Sequence, residues 1–206
     1  MARALLDSSV TKQVIGFDMN SKLKEDFHKD AENANKAHSS TPPASQKDSI
    51  QPATEFVVLA LVNETQCDQV CFAGADALKE ILPKGSCVIM TSTVTATWAR
   101  KAAPLFTEAG ILFVDCPMSG GPVKAREGTL TMMASADDAS LSKAKPIIEA
   151  MGKDVHIIEG GPGMGSTVKM VHQLLAGVHI CAAAEALALA AKAGIDVHQV
   201  RICEYL

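Results

Sequence analysis

Short apolar runs alternate along this chain with longer segments in which apolar residues recur at helical spacing. The run at 56–62 (FVVLALV) is apolar throughout, which is typical of a strand buried on both faces of a parallel sheet. The same reasoning predicts strands at 87–93, 111–116, 129–135 and 154–160, and helices at 65–82, 95–110 and 137–152. This alternation predicts an α/β fold, a doubly wound and mainly parallel sheet with helices on both faces.

The N-terminal quarter of the chain has weaker patterns. Residues 2–9 (ARALLDSS) have helical spacing, and 13–18 (QVIGFD) is a short β-rich run that closes on Asp18. Residues 24–54 are polar and carry three prolines. We expect a helix, a strand, and then a weak helix followed by a loop.

After residue 165 the pattern changes to a single long helix. About 28 residues without proline would make a helix of roughly 42 Å. This segment is apolar nearly all round, which predicts a helix buried between two bodies of protein. We therefore divide the chain into a sheet domain at 1–160 and, at 161–206, the long interdomain helix with the start of an all-helical domain.

Composition and charge narrow the classes of function. A net charge of −4 without a basic cluster argues against a nucleic-acid partner. The apolar run at 174–191 is interrupted by His179 and Glu185, so we expect it to be too polar to cross a membrane unaided. The six cysteines include no C-x-x-C pair, and Cys67 and Cys71 have no histidine near them in the sequence. We expect reduced, buried thiols, no metal and a cytoplasmic location.

A glycine-rich stretch, GGPGMGSTVKMVHQ at 160–173, precedes the long helix. It is not a P-loop, because three residues separate its last glycine from Lys169. Nor is it a dinucleotide fingerprint, which needs a strand about 20 residues later where this sequence predicts helix. The glycines are better explained by a turn into the helix with the backbone close to a ligand.

Candidate chemistry follows the predicted strands, because ligands of open α/β sheets bind beyond the carboxyl ends of the strands. Asp18 ends the strand-like run at 13–18, where an acid typically binds an adenosine ribose, although an aspartate there is also ordinary. The SGG sequence at 119–121 offers two backbone N–H groups without side chains that could approach a carboxylate, or it is a plain turn. Asn63 and Thr93 follow two further strands.

Lys169 is the candidate for acid–base chemistry. It falls in the first turn of the predicted long helix, where the helix dipole and an apolar junction would both lower its pKa. Gln173, one turn later, could hold a substrate oxygen beside it. The alternative is a solvated lysine on an exposed turn.

Two blocks carry a family resemblance. FVDCPMSGGPVKAREGTLTMMASAD and GMGSTVKMVHQLLAGVHICAAAEALALAAKAGI resemble the substrate loop and the catalytic helix of the β-hydroxyacid dehydrogenases. That family includes 3-hydroxyisobutyrate dehydrogenase, threonate dehydrogenase-like enzymes and 6-phosphogluconate dehydrogenase. The resemblance runs from residue 1 to about 203 and is strongest over 111–194.

This resemblance implies NAD(P)-dependent oxidation of a small, unphosphorylated hydroxy acid, with NAD as cofactor, NADP as its alternative, and a homo-oligomeric assembly. Lys169 would be the general acid/base. The residues expected to bind substrate are Ser119, Gly120, Gly121 and Gln173, and those expected to bind the cofactor are Asp18, Asn63 and Thr93. Gln173 stands where the family usually has Asn, which leaves the substrate subtype open.

The chain also departs from the family pattern. Family members open with a strand and a G-x-G-x-M-G loop before a helix that resembles MARALL, and that strand and loop are not in this sequence. We therefore expect a Rossmann-like sheet without its first strand, and weak or no activity of these 206 residues by themselves. The alternative is a non-catalytic binding or assembly module that pairs with an intact paralogue.

Overall fold

A parallel three-stranded sheet forms the centre of the first part of the chain. The computed structural model describes residues 1–37 and 41–203. Strands β1 (Phe56–Leu59), β2 (Cys87–Met90) and β3 (Leu112–Asp115) pair in that order, both pairs in parallel. All three carboxyl ends therefore lie at the same edge.

A second sheet continues from the end of β3. Its strands are β4 (Met118–Ser119), β5 (Leu130–Ala134) and β6 (Gly152–Ile157), of which β4 pairs antiparallel to β5 and β6 pairs parallel to it. Asp115 joins the two sheets, because its backbone N–H donates to the Ser135 carbonyl at 3.1 Å and its carbonyl accepts from the Ser135 N–H at 2.8 Å. We refer to this pair of residues as the sheet joint.

Helices connect the strands. Among the described residues the α-helices are α1 (Ala2–Asp7), α2 (Ser21–Asn33), α3 (Glu64–Phe72), α4 (Leu78–Ile81), α5 (Ala96–Glu108), α6 (Gly121–Glu127), α7 (Asp138–Met151), α8 (Met164–Lys192) and α9 (Val197–Cys203), and a 3₁₀ turn spans Lys47–Ser49. The chain divides into two compact units, Met1–Thr167 and a second that begins at Val168, so that α8 starts in the first unit and continues into the second.

Strand β2 shows why the sheet is doubly wound. Its four residues have no exposed surface, and successive side chains of a strand point to opposite faces. Val88 and Met90 pack into one apolar cluster with residues of α3 and α5, whereas Cys87 and Ile89 pack into another with residues of α1 and α7. Both faces of the sheet are therefore covered by helices, as the sequence predicted.

Helix α7 begins at a side-chain cap. Asp137 accepts hydrogen bonds from the Ser140 backbone N–H at 2.9 Å and from the Ser140 hydroxyl at 2.7 Å. In the sequence both Asp137 and Asp138 are possible caps at the start of the predicted helix, and the structure selects Asp137.

Removing this cap should weaken the fold. We expect Asp137→Ala to cost about 1 kcal/mol of unfolding free energy, measured by urea denaturation at pH 7. Asp138→Ala is the matched control, because it deletes an acid one residue later that does not cap the helix, and it should cost less. Desolvation raises the pKa of Asp137, but the hydrogen bonds from Ser140 outweigh it and leave the pKa lowered. The difference between Asp137→Ala and wild type should therefore be present at neutral pH and vanish as pH falls through that lowered pKa; a difference that persists in acid would contradict the cap.

Helix α8 is one continuous helix of 29 residues, as predicted, but it is not buried. Large apolar side chains along it are exposed, for example Met170 (64%), Leu174 (67%) and Ile180 (70%). The prediction of burial fails for these side chains because the part of the chain that the structure describes does not cover them.

The same helix is long and apolar enough to cross a membrane, with a mean hydropathy of 1.9 over an 18-residue window. By that measure the sequence argument that this region is too polar does not hold. A single such helix is weak evidence for a membrane span, because core helices share its length and composition.

Three other expectations were wrong. Residues 13–18 join neither sheet, because an isolated β-rich run needs a neighbouring strand to satisfy its backbone. The helix predicted at 65–82 is broken into α3 and α4, with Gly74 between them at φ +79°. The segment after residue 117, which resembles the family's substrate loop and was expected to be irregular, instead contains β4 and α6. Residues 38–40, within the loop predicted by composition, lie outside the described residues.

Candidate active site

Exposed polar side chains follow the neighbouring strands β1 and β2 at their carboxyl edge. Asn63 caps α3, its Oδ1 accepting from the Gln66 N–H at 2.9 Å. Thr93 is exposed just after β2. The Leu61 N–H donates to Ser92 Oγ at 2.6 Å and ties the two strand ends together. Two of the predicted cofactor residues therefore follow adjacent strands at one edge of the sheet.

This edge fits part of a dinucleotide. The Asn63 amide and Thr93 hydroxyl are exposed groups that can donate and accept hydrogen bonds, as the polar end of a nicotinamide requires. The starts of α3 and α5 are held together by Glu64, whose carboxylate accepts from the Thr95 N–H at 2.5 Å. The sequence has no G-x-G-x-x-G loop for the pyrophosphate. These groups are compatible with the nicotinamide side of the cofactor, and their contacts with it stay a prediction.

Asp18 lies in irregular chain between α1 and α2 rather than at a strand end. Its side chain is exposed, and Oδ1 accepts from the Asn20 N–H at 2.7 Å in the turn that leads into α2. The structural premise for this residue was wrong, and its role at a cofactor ribose stays a prediction.

The SGG sequence spans the end of β4 and the beginning of α6. Ser119 pairs with Thr131 across the sheet, while Gly120 and Gly121 have φ angles of +131° and +70°. Positive φ at two consecutive positions strongly favours glycine. Both glycines are exposed, so their backbone can be approached closely by a ligand. This conformation suits a carboxylate that binds without interference from side chains.

Lys169 and Gln173 belong to the second unit, on α8. Lys169 lies in the second turn of the helix and not in the first as predicted, because α8 already begins at Met164. It is only 7% exposed, so it is not the solvated lysine of the alternative interpretation. Burial lowers the pKa of its ammonium group, which increases the neutral fraction at any given pH. Gln173 follows one helical turn later and is exposed.

The sequence argument missed Asp115, the last residue of β3. It is a carboxylate with 0% exposure that accepts hydrogen bonds from the residues at the start of α8. One signal was available: an acid inside an otherwise apolar run, FVDCP, must find partners when the strand is buried.

Four of the cysteines are buried as small apolar residues. Cys67 and Cys71 are fully buried in α3, and burial raises the pKa of both thiols. Cys87 and Cys116 are also buried, whereas Cys181 on α8 is exposed. Over the described ranges no group of three or more His, Cys, Asp or Glu side chains is placed to hold a metal ion.

Comparison with known families identifies the fold that carries these residues. Residues 1–160 match the model of the NAD-binding domain of 6-phosphogluconate dehydrogenase. Residues 163–202 match the model of the NAD-binding region of NADP-dependent 3-hydroxyisobutyrate dehydrogenase. The chain belongs to the β-hydroxyacid dehydrogenase family. The family resemblance and the cofactor class expected from the sequence are thereby confirmed, with NAD and NADP both represented.

Individual members of this family are similar to the chain in sequence or in structure. L-threonate dehydrogenase of Escherichia coli is 43% identical over 143 residues, which are 69% of this chain and 47% of that protein. The 2-hydroxy-3-oxopropionate reductase of Escherichia coli is 33% identical over 152 residues, 74% of this chain and 51% of that protein. A solved structure of 3-hydroxyisobutyrate dehydrogenase from Salmonella typhimurium superposes with a TM-score of 0.79 at 38% identity, covering 94% of this chain and 64% of that one. The chain spans about half the length of the curated relatives that it matches.

Proposed function

We propose that this chain carries the central part of an NAD(P)-dependent dehydrogenase of a small 3-hydroxy acid, of the 3-hydroxyisobutyrate or threonate/glycerate type. The observation that carries the proposal is Lys169, a lysine that is 7% exposed and whose pKa is lowered by burial. The family resemblance implies the general acid/base at this residue. A neutral amine beside a hydroxyl is a competent base near pH 7. The named relatives act on small hydroxy or oxo acids, which supports this substrate class.

Each predicted residue then has a defined task. Lys169 Nζ accepts the proton of the substrate hydroxyl during oxidation and returns it during reduction. The backbone at Gly120 and Gly121, with the Ser119 hydroxyl, binds the substrate carboxylate, and the Gln173 amide holds a further substrate oxygen. When bound, the nicotinamide supplies the hydride acceptor; Asn63 and Thr93 contact that side of the cofactor, and Asp18 its ribose.

We also propose the wider setting of this activity. Residues 1–160 act as the partial NAD(P)-binding domain, and 161–206 as the interdomain helix with the start of an all-helical domain. The protein works in the cytoplasm, as a homo-oligomer, without a nucleic-acid or membrane partner. NAD is the preferred cofactor if Asp18 binds the ribose, with NADP as the alternative.

The 206 residues by themselves should be weak or inactive. The sequence supplies no glycine-rich loop for the pyrophosphate, and such a loop at a helix N-terminus is what anchors a dinucleotide. The purified chain should therefore not reduce NAD⁺ with L-threonate, D-glycerate or 3-hydroxyisobutyrate. Lys169-dependent reduction by this chain would overturn the expectation of inactivity and support the dehydrogenase function.

A chimera tests the dehydrogenase function directly. In it, the aligned stretch of Escherichia coli L-threonate dehydrogenase is replaced by the corresponding residues of this chain, so that the flanking segments come from the relative. We expect the chimera to reduce NAD⁺ with at least one of the three acids. A folded chimera that binds NAD⁺ and turns over none of them, beside an active parent enzyme, would contradict the proposal.

A second candidate function is favoured by the exposed apolar side chains of α8, among them Met170 and Leu174. Exposed apolar surface of this kind marks protein contacts. In this reading the chain is a non-catalytic module that assembles with an intact paralogue. The transcript upstream of Met1 discriminates the two: an in-frame G-x-G-x-x-G supports the enzyme, and its absence supports the module.

A further inference from the structure

The first backbone N–H groups at the start of α8 donate hydrogen bonds to side chains of the sheet joint. The first N–H groups of a helix have no acceptor within the helix. Here the Gly163 and Ser166 N–H groups donate to Asp115 Oδ2 at 3.0 and 2.9 Å, and the Gly165 N–H donates to Ser135 Oγ at 2.8 Å. The residues of the sheet joint therefore supply the acceptors for the helix start.

The Asp115 carboxylate is saturated by these contacts. Its Oδ1 accepts from the Ser166 hydroxyl at 2.7 Å, and Oδ2 also accepts from the Ser135 hydroxyl at 3.3 Å. With 0% exposure and both oxygens engaged, it has no free face for a substrate. A negative charge at the N-terminus of a helix is also favoured by the helix dipole. Its chemistry suits an anchor and not a proton-transfer group.

Backbone packing holds the same turn in place. A Cβ atom added at Gly165 would lie 2.3 Å from the Met133 carbonyl oxygen and 3.0 Å from that of Asp115. The helix start therefore lies directly against the backbone of β5 and the sheet joint, with no space for a side chain. This close packing fixes the position from which α8 begins.

We propose that Asp115 is the positioning residue for Lys169, through the start of α8. Lys169 follows Ser166 by three residues in the same helix, a spacing that places both on one side of it. Fixing the first turn fixes where the second turn, with Lys169, begins. The catalytic purpose of this arrangement rests on the proposed function of Lys169.

The experiment uses the 206-residue chain and Asp115→Asn, which keeps the size of the side chain but replaces one acceptor oxygen by a donor. Asp137→Asn, the same change at the cap of α7, is the matched control. Amide hydrogen exchange reports the helix start, and pH-dependent acetylation read by mass spectrometry gives the titration midpoint of Lys169. In Asp115→Asn we expect exchange at Gly163, Gly165 and Ser166 to accelerate at least about tenfold, and the Lys169 midpoint to rise towards that of an ordinary lysine. The control should change neither.

Two results would overturn the proposal. One is a folded Asp115→Asn chain in which the helix-start amides and the Lys169 midpoint are unchanged. The other is faster exchange spread evenly over β2 and α7, with the Lys169 midpoint unmoved, which would make Asp115 a structural residue only. If Asp115→Asn does not fold, Ser166→Ala, which deletes one hydrogen bond, should give smaller changes of the same sign, and no change there would equally overturn it.

These readouts require neither cofactor nor turnover. If the proposed positioning role of Asp115 is overturned, the dehydrogenase proposal is therefore unaffected. An inactive chimera beside an intact anchor would contradict the catalytic role of Lys169 and leave the attachment of the helix start correct.

Discussion

Replacing Lys169 by Met in the chimera with Escherichia coli L-threonate dehydrogenase should lower kcat by about 10²–10⁴-fold, the usual contribution of a general acid/base. Methionine keeps the length and most of the apolar contacts of the side chain but cannot carry a proton. The KM for the hydroxy acid should change much less, because the proposed carboxylate contacts at Ser119–Gly121 are retained. Steady-state reduction of NAD⁺ measures both constants.

Two further variants sharpen this result. Lys169→Arg should be as inactive as Lys169→Met, because a guanidinium group stays protonated at any working pH. Lys192→Met, in the last turn of the same helix with an exposed side chain, is the control and should keep the activity. Full activity of Lys169→Arg would show that charge alone is needed there and would contradict the acid–base role.

Phe106→Ala should cost about 3–5 kcal/mol of unfolding free energy, the range for truncating a buried aromatic residue. Phe106 is 0% exposed, and its ring lies 5.5 Å from that of Phe113, stacked at 10°, and 5.2 Å from that of Phe72. Truncation removes the centre of the apolar cluster between α5 and the parallel sheet. Chemical denaturation followed by circular dichroism measures the loss.

The neighbouring residue provides the control. Leu105 lies in the same helix and is 40% exposed, so Leu105→Ala should cost well under half as much, about 1 kcal/mol or less. Equal losses for the two variants would mean that the aromatic cluster does not hold the sheet and α5 together.

The fold class was accessible from sequence because the strands of a doubly wound sheet leave a strong pattern. Every residue of β2 is apolar, and its side chains point alternately into two apolar clusters. A strand with one face exposed to solvent would not show this pattern. The cap of α7 was accessible to within one residue for a similar reason, since an acid before an apolar-periodic segment has a local function. The choice of Asp137 over Asp138 needed the structure.

The errors arose where local signals depend on distant partners. Residues 13–18 have the composition of a strand, but a strand exists only where another strand pairs with it. The apolar stripe of α8 predicted burial, yet burial requires protein that covers it, which the sequence of a helix cannot supply. The sequence pattern indicates which secondary structure a segment can form, but not which other segments pack against it.

The candidate site divides in the same way. Lys169, Ser119 and the glycines after it were proposed from the sequence on the family resemblance, and their roles stay predictions. Asp115 was not proposed, because its partners at Gly163 and Ser166 lie about fifty residues away in the sequence and meet it only when α8 docks its first turn on the sheet joint. A buried acid in an apolar strand signals that partners exist, but the fold alone identifies them.

Thiol labelling can follow the local unfolding of this chain, because its cysteines differ in exposure. Cys181 is exposed and should react with a thiol reagent such as a maleimide within the mixing time, while Cys67, Cys71, Cys87 and Cys116 are buried. Burial also raises the pKa of Cys87 to about 12, so its thiolate is scarce even where reagent arrives. Slow labelling at these four positions, resolved by mass, would time separately the release of α3, of β2 and of the chain beyond β3.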